Sequence, residues 1–154
     1  MGYKYGVWMT YEHSLLQTSH IKHVTIACLM TKENALKLYD EIVNKYGDTF
    51  EVLLHGKHAF YDAAFYEHDT NKTCSWGFDG TCDMWDTFKI VCDKYKCDFS
   101  HIPHTSIDYG ISPNLLKPYS INNVKIQCKV HCADIRSDFP EDWKLIDSNT
   151  YQYR

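Results

Sequence analysis

The sequence predicts an α+β fold of two lobes, with two mostly antiparallel sheets lining a central cleft and helices outside. Three observations predict it. Two segments repeat apolar residues at helical spacing, and several others alternate as strands do. The order is strand–helix–hairpin, then helix–strand–strand. Each half contains one strand built around a histidine, a spacer and a hydroxyl residue. At 154 residues, one two-lobed domain over 1–154 can bury a real core.

The elements follow in order. Tyr3 to Glu12 reads as a strand, with Tyr3, Tyr5, Val7, Met9 and Tyr11 alternating against Gly6, Trp8, Thr10 and Glu12. His13 to His20 is polar and reads as a loop, and residues 22–30 form the next strand. Thr31 is placed as a helix N-cap with Glu33 in the first turn, near the positive end of the dipole. Ala35, Leu36, Tyr39, Ile42, Val43 and Tyr46 then recur at helical spacing, and Gly47 stops the helix. Phe50–Leu54 and His58–His68 read as two strands of a hairpin turning near Gly56-Lys57. Asp69 to Gly80 is rich in turn residues. A second helix spans about 83–96, carried by Met84, Trp85, Phe88, Val91, Cys92 and Tyr95. A strand over 101–109 follows, then a loop from Gly110 to Ser120 of a length often used as a lid. Asn123–Ile135 reads as a long strand, with Val124, Ile126, Cys128, Val130 and Cys132 on one face. Phe139 to Trp143 is a turn, and Lys144–Tyr153 adds a short terminal strand.

The chemistry concentrates in Lys22-His23-Val24-Thr25-Ile26 and Pro103-His104-Thr105-Ser106-Ile107. Residues two apart in a strand share a face. His23 and Thr25 therefore share one face, and His104 and Ser106 another. Val24, Ile26, Cys28 and Met30 turn to the opposite side of the first strand, and Thr105, Ile107 and Tyr109 to that of the second. Two imidazoles, each beside a hydroxyl, are left to line a groove. Metal-free cleavage of a phosphodiester requires a base for the attacking hydroxyl, an acid for the leaving oxygen, and donors to the non-bridging oxygens. Histidine supplies either of the first two roles near neutral pH. Thr25 and Ser106 supply the third. Either motif alone is weak, because the chain holds nine histidines; their doubling, one per half, carries the reading.

Composition bounds the ligand. The net charge is −4 and no basic stretch is present, which disfavours long RNA or DNA and leaves a small anionic ligand held by local groups. The odd count of seven cysteines, without regular pairing, fits a reducing cytoplasm. Cys128 and Cys132 lie roughly 13 Å apart along a strand, too far to pair, and read as small buried hydrophobes. His101 and His104 offer a zinc set with Cys92 or Cys97, but Pro103 breaks the helical spacing and no Cys-x-x-Cys partner exists, so no metal or cofactor is expected. The opening residues carry no signal-peptide pattern, Gly6 stands where a myristoylation motif wants Ser or Thr, and no apolar run approaches a membrane span.

His23-Val24-Thr25-Ile26 and His104-Thr105-Ser106-Ile107 resemble the paired signature of the 2H phosphoesterases, the LigT-like superfamily. That signature is His-x-Thr/Ser-apolar, once in each lobe. The 81-residue separation and the order of elements suit the family. The resemblance implies that His23 and His104 act as base and acid, that Thr25 and Ser106 bind phosphate, and that no metal is needed. Which histidine plays which part stays open.

Within the superfamily the chain looks most like the phage anti-CBASS nucleases, which degrade cyclic oligonucleotide alarm signals. By that likeness Tyr11, Glu141 and Trp143 would bind the substrate. A ribose 2′-hydroxyl would attack the adjacent 3′-phosphate, leaving a 2′,3′-cyclic phosphate. A 2′-5′ oligoadenylate phosphodiesterase or an RNA-end enzyme fits the same spacing. So does a viral relative acting on cyclic dinucleotides in a host cytoplasm. A non-catalytic nucleotide sponge is the rival from another class. Plainer readings stand beside these roles: Tyr11 as a packed strand residue, Trp143 as the cover of a core edge, Glu141 as a surface carboxylate. Trp76 is a further candidate for stacking, and Lys22 and Lys57 for approaching a phosphate.

Overall fold

Thr31 opens the longer helix, α1 (Lys32–Tyr46), by accepting the Asn34 backbone N–H at 3.1 Å through its side chain. Gly47 closes it at φ 98°, a backbone conformation that favours glycine. Ala35, Leu38 and Ile42 are its buried residues. Of the expected stripe Ala35 and Ile42 are buried, Leu36, Tyr39 and Val43 half-buried and Tyr46 exposed, while Leu38 lies outside the expected set. The computed structural model describes residues 4–14, 16, 18–62, 74–111 and 123–146, with backbone alone at 56–62, 74–76 and 108–111.

The other elements are strands β1 (Lys4–Thr10), β2 (His23–Met30), β3 (Thr49–Asp62) and β4 (Cys74–Thr81), helix α2 (Trp85–Cys92), then β5 (Asp98–Phe99), β6 (His104–Ile111), β7 (Val124–Ile135) and β8 (Lys144–Leu145). A 3-10 turn, Pro140–Asp142, precedes β8. The fold is α+β. All strand pairs are antiparallel, and they join eight strands into one sheet in the order β1-β2-β6-β4-β3-β7-β8, with β5 added on β2. β1 also pairs β7, so the path closes on itself. In place of the two sheets expected from sequence there is one, and its thinnest joint lies between β2 and β6. A single residue pair, Val24 with Thr105, joins β2 to β6, whereas seven join β1 to β7.

Several expectations change. Phe50–Leu54 and His58–His68 are not two hairpin strands. β3 runs through Gly56-Lys57 to Asp62, and its register against β4 shifts between Leu54 and His58. A glycine inside a strand marks such an irregularity as readily as a turn. Residues 63–68 lie outside the described residues. The stretch read as turns holds β4 instead. α2 is shorter than expected, stopping at Cys92, and β5 follows it to pair with Ala27 and Cys28. Gly110 and Ile111 belong to β6, and the rest of the expected lid lies outside the described residues, as does the terminal strand beyond Ile146. Among the described residues no helix is long and apolar enough to cross a membrane.

The main core packs Val7, Met9, Tyr11, Val24, Ile26, Phe78, Ile107, Cys128, Val130 and Cys132 with the buried faces of both helices. Cys28 leaves the face it was expected to share with Val24 and Ile26. Val7 pairs Ala27 while Trp8 pairs Thr25, so Ile26 is an extra residue on β2. That bulge reverses the alternation: Ala27 enters the core and Cys28 joins a smaller cluster of Trp8, Ala133, Ile135 and Trp143.

Candidate active site

The single rung between β2 and β6 places all four motif residues. Val24 and Thr105 oppose each other and both turn away from the smaller cluster. Continuing the register of that one pair by a residue each way sets His23 toward Ser106 and Thr25 toward His104. Their alternation puts all four on one face. Cross-strand neighbours on one face stand about 5 Å apart at Cβ. β1 extends the rows with Thr10 beside His23 and Trp8 beside Thr25; β4 adds Gly77 beside Ser106 and Asp79 beside His104.

The two rings are held alike. His23 Nδ1 lies 2.7 Å from the Ile21 carbonyl and His104 Nδ1 lies 2.9 Å from the Ile102 carbonyl. A carbonyl only accepts, so each Nδ1 carries the hydrogen and each neutral ring keeps its lone pair on Nε2. Each motif thus aims the same nitrogen from the same local turn of chain.

Their surroundings differ. His23 is 4% exposed, and its ring stacks on Trp8 at 3.6 Å between centroids and 11° between planes. The His20 and Trp143 rings approach it edge-on at 5.7 and 6.0 Å. Burial, then the neighbouring His20, pushes the His23 pKa down to about 3, against the pull of the Ile21 carbonyl. His104 is half-buried, and burial lowers its pKa too, opposed by the Ile102 carbonyl and the Asp79 carboxylate. Burial therefore favours the neutral form of both rings, and His104 differs in having a carboxylate, Asp79, that partly opposes it.

A stability prediction follows from His23. Its folded pKa lies below the ordinary 6.5, so below that pH the unfolded chain binds more protons. The contribution is full above about pH 6.5 and is lost as pH falls toward 3. Between pH 6.5 and 5 the loss is about 2 kcal/mol. His104 acts in the same direction. The carboxyls held low by cations, Glu41 beside Lys94 and Lys45 and Asp134 beside Arg136, weaken only in more acid solution. Urea unfolding at pH 7 and pH 5 should show a smaller acid loss in His23→Gln than in wild type. Equal losses would contradict the burial of a neutral His23.

Of the residues expected to bind substrate, Trp143 is brought to this face. It is buried against Trp8 and its Nε1 donates to the Ser137 carbonyl at 2.8 Å. Tyr11 is not. It belongs to the main core on the other side of the sheet, with its hydroxyl 2.7 Å from Thr105 Oγ1 and its pKa raised by burial. The alternation of β1 sets it with Val7 and Met9, opposite Trp8. Glu141 is exposed in the 3-10 turn, with no described contact to the histidines. Lys22 pairs with Glu12 at 3.3 Å. The side chains of Trp76 and Lys57 lie outside the described residues. Trp8 and His20 are site neighbours that the sequence reading missed. Trp8 could have been found from its place between Val7 and Met9, given the register; His20 sits in a loop with no periodic signal. Among the described residues no three His, Cys, Asp or Glu side chains assemble as a metal-ligand set.

No family model matches the chain, and no curated protein matches it.

Proposed function

We propose that the chain is a phosphodiesterase of the 2H type, acting on a small cyclic or 2′-5′-linked oligonucleotide through His23 and His104. The observation that carries this reading is the repeated geometry. Two histidines on adjoining strands have the same tautomer, each set by the carbonyl two residues back, with a hydroxyl residue two positions after each. A paired base and acid need the same nitrogen presented from both motifs, which this arrangement supplies.

The environments divide the labour. For a 3′-5′ linkage His23 Nε2 takes the proton from the ribose 2′-hydroxyl beside the 3′-phosphate; for a 2′-5′ linkage the free 3′-hydroxyl and the 2′-phosphate take those places in the same step. The oxygen attacks the adjacent phosphate, and the phosphorus–oxygen bond to the next nucleotide breaks. His104, in the imidazolium form that the Asp79 carboxylate favours and burial opposes, gives a proton from Nε2 to the leaving oxygen. The products are a 2′,3′-cyclic phosphate end and a free hydroxyl. Thr25 and Ser106 donate to the non-bridging oxygens. His104 and Thr25 are the more exposed members, so substrate enters from their side and the phosphate reaches inward toward His23. In this reading the thin β2–β6 seam is where two lobes meet, each bringing one motif. An acidic chain that degrades small cyclic signals fits evasion of CBASS-type antiviral immunity by a virus, acting in the host cytoplasm.

The test is a product assay in EDTA, read by mass. The panel is cyclic di- and trinucleotides, linear 2′-5′ oligoadenylate, and RNA ending in 2′,3′-cyclic phosphate. Conversion of a cyclic member to a linear species ending in cyclic phosphate, with a bell-shaped pH profile, is expected. Cleavage confined to the oligoadenylate or the RNA end would keep the two-histidine chemistry and change the substrate. Binding without any product would overturn the enzyme reading in favour of a sponge.

A further inference from the structure

The geometry points to His20 as a positioning residue that holds the second motif strand in register with the first. The kinetic part of this inference rests on the phosphodiesterase reading; the strand-holding part does not.

The seam needs a holder. Val24–Thr105 is the one backbone pair between β2 and β6, and beyond it the strands are not joined by a ladder. Next along β6, the Ser106 carbonyl is met by a side chain instead: His20 Nε2 lies 3.0 Å from it. A carbonyl only accepts, so Nε2 of His20 donates. The ring is 8% exposed and packs edge-on against both His23 and Trp143. It therefore touches the first motif through its ring and the second through its hydrogen bond. On the other face, one residue away, the Tyr11 hydroxyl grips Thr105. Tyr11 and His20 bracket the loop between β1 and β2. That loop thus fastens the seam on both faces, and His20 is the fastening on the histidine side.

The consequence is geometric. The register sets Ser106 toward His23, so a shift of β6 changes the spacing between base, acid and phosphate donors. A displacement near 1 Å at reacting groups costs up to about a hundredfold in rate. Binding depends less on that spacing than turnover does.

The experiment compares His20→Ala and His20→Gln in the full chain. Gln can place an amide N–H near the position of ring Nε2. Two readouts are taken: hydrogen exchange of the 104–107 amides, and kcat and KM on the member of the above panel that wild type cuts. In His20→Ala, exchange over 104–107 should rise and kcat should fall roughly tenfold to a hundredfold with KM within about twofold. His20→Gln should recover most of both. Unchanged exchange in His20→Ala would overturn the inference, and so would a Gln variant as slow as the Ala variant, which would mark His20 as a proton carrier. If wild type cuts nothing on the panel, the phosphodiesterase reading fails, and the exchange of 104–107 alone still decides whether His20 holds the seam.

Discussion

His23→Ala and His104→Ala should each lose turnover by about a hundredfold to ten-thousandfold, the usual worth of a positioned acid or base. The two losses should not add, because a base without its acid, or the reverse, leaves the same incomplete proton relay. Each ring is turned by a carbonyl two residues earlier, at 2.7 Å for His23 and 2.9 Å for His104, and each therefore presents Nε2. Alanine removes that nitrogen without disturbing the turn that aimed it. The single variants should also fail differently with pH. His104→Ala should lose the basic limb of the rate profile, since the missing group is the one that must be protonated. His23→Ala should lose the acid limb. Because alanine also leaves a gap beneath Trp8, His23→Gln is the companion that separates lost chemistry from lost packing. Rates near wild type in either alanine variant would dismiss the two-histidine mechanism. Loss of the wrong limb would exchange the roles of base and acid.

How much of this was legible in the sequence depended on whether the signal was local. α1 was legible because its cap, its stripe and its glycine stop are all set within a few residues of each other. β7 was legible because its first half alternates, with Ile126 and Cys128 buried between exposed neighbours, although both faces are buried from Val130 to Ile135. β4 was not. Gly77 and Gly80 beside Asp79 have the composition of a turn, but the glycines stand where another strand's backbone comes too close for a side chain. β3 was split in two because Gly56 looked like a turn, whereas the chain continues through it. Cys28 was put on the wrong face because a bulge at Ile26 is a matter of pairing with β1, which spacing cannot show.

The site divides in the same way. His23, Thr25, His104 and Ser106 were legible because two-residue spacing within a strand guarantees a shared face. That the two strands would pair at Val24 and Thr105, and so merge two faces into one, was a tertiary fact. Tyr11 was given to the site because it is near the motif along the chain, although its alternation with Trp8 sends it to the core. His20 acts from a loop, through a hydrogen bond to a residue far along the chain, and no pattern marks it.

Among the described glycines, Gly77→Ala should be the most damaging added methyl. Gly77 lies in β4 directly opposite Ser106. A Cβ there would collide with the Thr105 carbonyl oxygen, approach the Thr105 carbonyl carbon to 2.8 Å and the Ser106 Cα to 2.9 Å. Every one of these atoms is backbone, so no side chain can swing aside, and β6 itself must retreat. The retreat is aimed at the weakest joint, because a single backbone pair, the His20 bond and the Tyr11 bond hold β6 to β2. Overpacking of this kind costs about 3 kcal/mol or more. Gly47→Ala is the contrast. Its added methyl meets nothing within 4 Å, and its cost is the strain of φ 98°, about 1 kcal/mol. Urea midpoints should therefore fall much further for Gly77→Ala than for Gly47→Ala. Among the molecules that remain folded, turnover should drop for the first and hold for the second, since only the first displaces Ser106 and His104. A Gly77→Ala protein with a wild-type midpoint would mean that β4 and β6 do not approach as closely as described. A protein destabilised as expected but with full turnover when folded would mean that the face carrying Ser106 tolerates the shift, and that the reaction does not depend on where β6 sits.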